Sequence, residues 1–160
     1  MSGPNNDLAD DCLALVAIQN HWAQEATNNN LYASHSLRDW GAGGKRINTW
    51  SGLFVSGGRV TEMILASTSL VGIFGSIPSE IGNLTALDTL NLSSNRFIGS
   101  IPSEIGNLTS LRFLWLHNNR LSGAIPTEIG ALTSLTTLRL HNNQPRLPIS
   151  AGIAPESWLL

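Results

Sequence analysis

The chain has 160 residues, of which 42% are apolar and 12% charged, and its formal net charge is −2. This composition is typical of a globular chain and excludes the highly charged, apolar-poor class of disordered proteins. Like charges form no block, so neither nucleic acid nor an anionic membrane is an expected partner.

No apolar stretch approaches the roughly 18 residues that a membrane-spanning helix needs. The N-terminus MSGPNNDLADD is polar and acidic, without the basic and apolar regions of a signal peptide. Cys12 is the single cysteine, so no internal disulfide can form. We therefore expect a soluble protein with no membrane span, and we favour an intracellular location.

The first predicted element is a helix near the N-terminus. Asp7 is a candidate N-cap for a helix that begins at Leu8, and Asp10 and Asp11 then lie near the positive end of its dipole. Apolar residues follow at helical spacing, which predicts one buried face. That face consists of Leu8, Cys12, Leu15 and Val16, and Trp22 extends it.

Residues 1–58 as a whole are predicted to be an N-terminal cap of this helix plus loops. The polar stretch 27–30 and the glycine-rich stretch 41–44 indicate loops. Apolar side chains in the same region can cover the open end of a repeat array, whose terminal unit has no neighbour. They are Trp40, Trp50, Leu53 and Phe54.

Residues 77–148 repeat with a period of 24 residues. The copies read IPSEIGNLTALDTLNLSSNRFIGS, IPSEIGNLTSLRFLWLHNNRLSGA and IPTEIGALTSLTTLRLHNNQPRLP. A fixed period in the twenties predicts a solenoid, in which each unit buries its apolar face against its neighbours. A degenerate copy begins near Val60, and the last copy loses the pattern at Pro145. We predict about four repeats over residues 59–149 and a short C-terminal cap over residues 150–160.

The frame LxxLxxLxLxxNxLxGxIP resembles the plant-type leucine-rich repeat. It is complete in one copy, at Leu108, Leu111, Leu114, Leu116, Asn119, Leu121, Gly123, Ile125 and Pro126. Residues 50–53 (WSGL) and 58–61 (GRVT) resemble the N-terminal cap of the same family. In secreted members two cysteines bracket the cap tryptophan, whereas those positions here are Asn48 and Val55. This departure favours the intracellular location, and secretion stays open.

The resemblance implies an α/β repeat fold: a right-handed leucine-rich-repeat solenoid with a short parallel concave sheet and a helical N-terminal cap. The leucines then fill the core. Asn95, Asn119 and Asn143 are expected to satisfy backbone groups at the turn after each strand. Gly99 and Gly123 are expected in tight turns.

Side chains of a strand alternate between its two faces, so the residues between the leucines form the concave surface. Strands are predicted near 62–66, 89–93, 113–117 and 137–141, with residues 24 apart in shared rows. One patch differs from the small polar residues around it, and we predict that it binds a partner because Trp and Arg are enriched in interface hot spots. Its members are Phe113, Trp115, His117, Arg139 and His141, with Arg112 beside them.

The alternative interpretation of this patch is that Trp115 and Arg139 only stack on each other. His117 and His141 are two imidazoles without a Cys, Asp or Glu in their rows, which is an incomplete metal site. The sequence contains no Gly-rich phosphate loop, Cys/His nucleophile pair or metal-ligand cluster. We predict no catalytic residue, no metal and no cofactor.

The preferred function is a non-catalytic protein–protein interaction module that binds a protein or peptide on its concave face. The alternative is an extracellular recognition protein for a glycan or another surface ligand, as in receptor ectodomains or in proteins that bind ice or cell-wall polymer. Rows of Ser, Thr and Asn leave the alternative open, while the patch of aromatic and basic residues favours a discrete partner.

Overall fold

The computed structural model describes residues 7–28, 50–66 and 72–143. The predicted loop at 41–44, Trp40 and the predicted C-terminal cap at 150–160 lie outside these ranges, and the predicted domain limits stay predictions. Apart from three short 3-10 helices, the described ranges contain one helix and seven strands: α1 (Asp7–Asn28), β1 (Leu53–Ser56), β2 (Arg59–Ile64), β3 (Phe74–Ser76), β4 (Thr89–Asn91), β5 (Arg96–Ile98), β6 (Phe113–Trp115) and β7 (Thr137–Arg139).

Five strands form the concave sheet, in the order β1-β2-β4-β6-β7. β1 is antiparallel to β2, and every later neighbour is parallel. The register aligns Met63, Leu90, Leu114 and Leu138, so equivalent residues of successive repeats share a row, as predicted. β4, β6 and β7 have 3 residues each and are shorter than predicted. The antiparallel strand β1 was not predicted.

Leucines of the LxL pairs fill the core, as the frame predicts. Leu90, Leu92, Leu114 and Leu116 have no exposed surface, and Leu138 and Leu140 are 3% and 5% exposed. Each repeat thus places two leucines against those of the next repeat, which is the contact that holds a solenoid together.

The asparagine after each strand has the predicted structural role. Asn119 is buried, and its amide nitrogen donates to the carbonyl oxygens of Leu92 (2.9 Å) and Leu116 (3.0 Å). Its Oδ1 accepts from the backbone N–H of Phe97 at 3.0 Å. One side chain therefore satisfies groups of its own repeat and of the preceding one, where the strands end and carbonyls would lack partners. Asn95 and Asn143 make the equivalent bonds.

The convex side consists of stacked 3-10 helices, one from each IPxEIG segment: Ser79–Asn83, Ser103–Asn107 and Thr127–Ala131. Ile81, Ile105 and Ile129 point from them into the core. Gly82 and Gly106, which follow the first two of these isoleucines, permit close stacking of successive turns. A Cβ on Gly106 would lie 2.6 Å from the Cβ of Glu128, too close for any larger residue without movement. Gly99 and Gly123 have positive φ angles of 75° and 83°, in the turns predicted for them.

The parallel pair β3–β5 is a second, small sheet that the sequence pattern did not predict. In the next repeat, the backbone N–H groups of Arg120 and Ser122 donate to the carbonyl oxygens of Phe97 and Gly99, both at 2.8 Å. Successive repeats are thus hydrogen-bonded on this side of the coil as well as on the concave side.

Helix α1 packs across the first repeats, but its buried face differs from the prediction. Asp11, Leu15, Ile18 and Trp22 are buried, whereas Val16, predicted to be inside, is 38% exposed. Cys12 is half-buried against the edge of the core. The prediction was wrong at Val16 because the buried face of the helix includes Asp11. A pattern that counts only apolar residues misses a buried polar residue and therefore places the face at the wrong angle. The helix also includes residues 27 and 28, which were predicted to be loop, and residues 29 and 30 of that predicted loop lie outside the described ranges.

Polar contacts join α1 to the repeats. The Trp22 indole N–H donates to the carbonyl oxygen of Ser76 at 2.9 Å, and its ring lies 5.5 Å from that of Phe97. Asp11, expected near the helix dipole, is instead fully buried and paired with Arg59. Across the described ranges, α1 included, no helix has both the length and the apolar character needed to cross a bilayer.

Candidate binding surface

The concave sheet brings the six predicted site residues together. Phe113 and Trp115 lie on β6, with Arg112 just before it, and His117 follows two residues after it. Arg139 is the last residue of β7 and pairs with Trp115 in the sheet register. Because Leu114 and Leu116 between them are buried, the side chains of this patch point away from the core. Their grouping is a consequence of the 24-residue period.

Aromatic and cationic side chains contact one another on this face. The rings of Phe113 and Trp115 lie 6.0 Å apart, edge to face. The guanidinium carbon of Arg139 lies 5.3 Å from the Trp115 ring centre, and that of Arg112 lies 5.2 Å from the Phe113 ring centre. The stacking of Arg139 on Trp115, which the alternative interpretation of the patch requires, is therefore present. Such cation–π contacts contribute about 0.5–1 kcal/mol at exposed sites, and they hold the ring and the charge in a defined arrangement.

Arg112 is engaged by Asp88, its neighbour in the same row. Its Nε lies 2.7 Å from Asp88 Oδ1, and its Nη2 lies 2.8 Å from Oδ2. The hydrogen bond and the negative charge of Asp88 raise the pKa of Arg112 above its ordinary value. A bidentate pair of this kind has little net charge, so Arg112 contributes planar surface more than charge to the patch.

His117 and His141 stack on each other, with ring centres 4.7 Å apart and planes inclined by 24°. Burial, and then the neighbouring charges of His141 and Arg139, lower the pKa of His117 below its ordinary value. His117 is therefore neutral at pH 7, with one ring nitrogen that donates and one that accepts. In the described part of the chain no group of three or more His, Cys, Asp or Glu side chains is placed to hold a metal ion.

Two nitrogen atoms of the patch are shielded from solvent and hydrogen-bond to no atom of the described residues. They are the indole Nε1 of Trp115 and the Nδ1 of His117. Buried polar groups in folded proteins are nearly always paired, so an unpaired one requires a reason. The indole N–H can only donate, and it would meet an acceptor outside this fold only if the Trp115 side chain changed its position.

The small polar residues beside the patch are less exposed than the row pattern suggests. Asn91 and Ser93, expected on the surface, are 8% and 5% exposed. The Oδ1 of Asn91 accepts from the hydroxyl of Ser93 at 2.7 Å and from its backbone N–H at 3.1 Å. Since the large side chains Trp115 and His117 are next in the same rows, these two polar residues are partly covered and bond to each other.

Phe54 is a member of this surface that sequence reasoning placed in the cap. It pairs with Glu62 across β1 and β2, in the row that leads through Thr89 to Phe113. Its side chain is 52% exposed, while Leu53 next to it is buried. Leu53, Phe54 and Val55 are all apolar, so no alternation of apolar and polar residues in the sequence identifies the outward-facing one.

A cluster of polar groups joins α1 to β3 and contains Ser76, His21 and Glu25. The Ser76 hydroxyl donates to Glu25 Oε1 at 2.8 Å, and His21 Nε2 lies 2.9 Å from the same hydroxyl. Glu25 also lies 3.3 Å from His21 Nε2. In a catalytic triad the acid and the serine contact opposite nitrogens of the imidazole. Here both contact one nitrogen, so the cluster fixes the cap helix and does not activate the serine.

A groove of about 640 Å³ lies away from the patch, between α1 and the first two 3-10 helices. Leu13, Asn83 and Asn107 line it, together with Arg59. Arg59 is already bonded to Asp11 and, at 3.1 Å, to Thr85. No aromatic side chain of the described residues lines this groove, whereas the concave patch groups Trp, Phe and Arg side chains, so the patch is the better candidate site.

A family model described as a leucine-rich repeat region matches residues 65–150. The LRR receptor-like serine/threonine-protein kinase GSO2 of Arabidopsis thaliana is 37% identical over 89 residues, which are 56% of this chain and 6% of that protein. The chain thus spans a small part of this curated relative's length.

Two solved structures are similar in fold. The ectodomain of the plant membrane receptor kinase GASSHO1/SCHENGEN3 from Arabidopsis thaliana, in complex with CASPARIAN STRIP INTEGRITY FACTOR 2, is 31% identical with a TM-score of 0.64. The match covers 78% of this chain and 15% of that one. A plant ice-binding protein is 24% identical with a TM-score of 0.66, over 84% of this chain and 41% of that one. At this level of identity, the comparison with the ice-binding protein shows that the two chains share a fold and nothing further.

Proposed function

Because this chain belongs to the leucine-rich repeat family, we propose that it is a non-catalytic interaction module that binds a protein or peptide on its concave sheet. The contact centres on Trp115, with Phe113 and Arg139 beside it and with His117 and His141 at the edge. Arg112 completes the surface as a planar group held by Asp88.

The observation that carries this proposal is the outward-facing group of aromatic and cationic side chains on β6 and β7, in which Trp115 contacts both Phe113 and Arg139. Within the described residues the indole N–H of Trp115 has no hydrogen-bond partner. The folded chain itself shields this atom, so a partner could supply its acceptor only if the Trp115 side chain turned. A partner that covers the rings would bury apolar surface, as central hot-spot residues do in interfaces.

The dimensions of the sheet suit a small partner surface. Five strands at about 4.8 Å spacing give a width of roughly 19 Å. A standard interface takes about 800 Å² from each partner, which would use most of this face. Affinity then depends on a few anchoring residues more than on area.

The similar ectodomain of GASSHO1/SCHENGEN3 was solved in complex with CASPARIAN STRIP INTEGRITY FACTOR 2, which supports a binding role for this architecture. The present chain covers 6% of the GSO2 kinase. The proposal therefore concerns the repeat array itself and extends no kinase activity to it.

A second candidate function is recognition of a repetitive surface such as a glycan polymer or ice. A regular polar row supports it: Ser94, Asn118 and Asn142 all have φ near 56°, and their side chains form a chain of hydrogen bonds. The link from Asn142 Nδ2 to Asn118 Oδ1 is 2.8 Å. The side chains of this row hydrogen-bond to one another, so they leave fewer donors and acceptors for a ligand. We therefore favour a discrete partner that binds the aromatic patch.

The test compares baits in extracts of the source organism: the wild-type chain, Trp115→Ala, and Glu104→Ala on the convex side. We expect Trp115→Ala to weaken binding of the captured partner by at least about 2 kcal/mol, roughly thirtyfold, as for a central hot spot. Glu104→Ala should bind as the wild type does, and circular dichroism should show all three folded. A loss confined to Glu104→Ala would place the ligand on the convex side and contradict the proposed site.

A further inference from the structure

The charges on the concave face are distributed in a specific order across its strands. Four permanently charged side chains face this surface or its edge: Glu62 on β2, Asp88 before β4, Arg112 before β6 and Arg139 on β7. They sum to zero, so the face has no net charge, but the acidic residues come first along the solenoid and the basic residues last.

The two central charges cancel each other. Asp88 and Arg112 are joined by contacts of 2.7, 3.1 and 2.8 Å. The bidentate contact occupies Nε and Nη2 of Arg112 and both oxygens of Asp88, so the two charges largely neutralise each other.

The two outer charges, Glu62 and Arg139, differ from the central pair. Among residues 7–28, 50–66 and 72–143, neither Glu62 nor Arg139 forms an ion pair. Arg139 is held over the Trp115 ring, and Glu62 lies in the row of Phe113, between Phe54 and Thr89. The face therefore presents one available negative group and one available positive group, with aromatic surface between them.

Their separation follows from the register. Three strand spacings of about 4.8 Å give roughly 14 Å across the sheet, and the offset of two residues along the strands adds little to the total. An extended chain advances about 3.3 Å per residue. Four to five residues of an extended peptide therefore cover this distance.

We propose that the concave face selects an extended peptide segment with a fixed charge order: a cationic group at Glu62, an apolar side chain over Phe113 and Trp115, and an anionic group at Arg139. The segment crosses the strands, and its charged groups are separated by about four to five residues. This inference rests on the proposed function and adds the chemistry and direction of the partner.

Charge complementarity favours a peptide with one basic and one acidic group over other classes of ligand. An uncharged polymer that covered the face would bury Glu62 and Arg139 without partners, which is unfavourable for both. A polyanion would pair with Arg139 but would place negative charge beside Glu62 and Asp88. A dipolar peptide pairs both outer charges and leaves the Asp88–Arg112 pair intact, so it is the favoured occupant.

The experiment is selection from a phage-displayed library of random 12-residue peptides on the wild-type chain, Glu62→Gln, Arg139→Gln and Trp115→Ala. Glu104→Gln and Arg120→Gln, which remove the same charges away from the concave sheet, are matched controls. From the wild type and both controls we expect peptides with a basic and an acidic residue four to five positions apart and an apolar residue between. Glu62→Gln should lose the basic preference alone, and Arg139→Gln the acidic preference alone.

A selected peptide and its counterpart with the two charges exchanged should differ in affinity for the wild type by about tenfold or more. Peptides that require Trp115 but show no charge order would overturn this inference and leave the proposed function standing. Failure of the wild type to enrich any peptide above Trp115→Ala would overturn both.

Discussion

Asp11 and Arg59 form a buried ion pair that joins the cap helix to the first strand of the repeats. Arg59 Nη2 lies 3.0 Å from Asp11 Oδ1, and its Nε lies 3.1 Å from Oδ2. The same carboxylate accepts the backbone N–H of Val60 at 2.7 Å. Asp11 has no exposed surface, so its charge depends wholly on these partners.

Removal of this carboxylate should therefore destabilise the fold strongly. Breaking a buried pair by removing one partner costs about 3–5 kcal/mol, and the partial exposure of Arg59 favours the lower end for Asp11→Ala. Urea unfolding should show a lower midpoint than that of the wild type. Asp10→Ala, in the same turn but exposed, is the control, and equal midpoints for both variants would show that the pair contributes no stability.

Truncation of a core leucine should cost a similar amount for a different reason. Leu114 has no exposed surface and lies between Leu90 and Leu138 in the sheet. Leu114→Ala removes apolar contacts on both sides and leaves a cavity, so we expect a loss of about 2–5 kcal/mol. The measurement is urea unfolding against Ser110→Ala, an exposed position. A loss below about 1 kcal/mol would indicate that the repeats close around the cavity.

A separate prediction concerns the hydrogen bonds that the Asn119 side chain makes in its turn. Asn119→Ala leaves the N–H of Phe97 without its side-chain partner, while the carbonyl oxygens of Leu92 and Leu116 keep their bonds from Asn95 and Asn143. An unsatisfied buried group costs about 1–3 kcal/mol, so the variant should be less stable than the wild type by at least about 1 kcal/mol. Hydrogen exchange should show faster exchange at Phe97. Unchanged protection there would contradict the role assigned to Asn119, and Asn107→Ala, at an exposed position, is the control.

Because of the lowered pKa of His117, we expect the free energy of unfolding to depend on pH. The pKa of His117 is below its ordinary value of 6.5 in the folded protein. Between that value and the lower folded pKa the unfolded chain binds more protons, so the free energy of unfolding decreases as pH falls through this window. His117→Asn should reduce this decrease, as measured by urea unfolding at about pH 7.5 and about pH 5.5.

His141→Asn is the matched variant for this pair. It removes one of the charges that lower the pKa of His117, so an NMR titration should show that pKa moving toward its ordinary value. If His117 titrates identically with and without His141, the stacking seen here has no electrostatic effect.

Much of the site followed from periodicity alone. Once residues 24 apart share a row, Trp115 must lie beside Arg139, and His117 beside His141. The assignment was wrong or incomplete where a side chain departs from the period. Val16 looked buried because the apolar pattern ignores the polar residue Asp11, and Phe54 was missed because β1 precedes the repeats and runs antiparallel to them.

The amino-acid order was enough to predict the repeat frame, the inward leucines, the asparagine turns and the grouping of the aromatic and basic residues. These features depend on local alternation and on one period, which a single chain displays directly. The three-dimensional structure was needed to show that Asp11 pairs with Arg59, that Asp88 pairs with Arg112, and that Glu62 and Arg139 have no ion-pair partner among the described residues. Those facts depend on which side chains meet across long sequence separations and on how water is excluded, and no spacing along the chain encodes them.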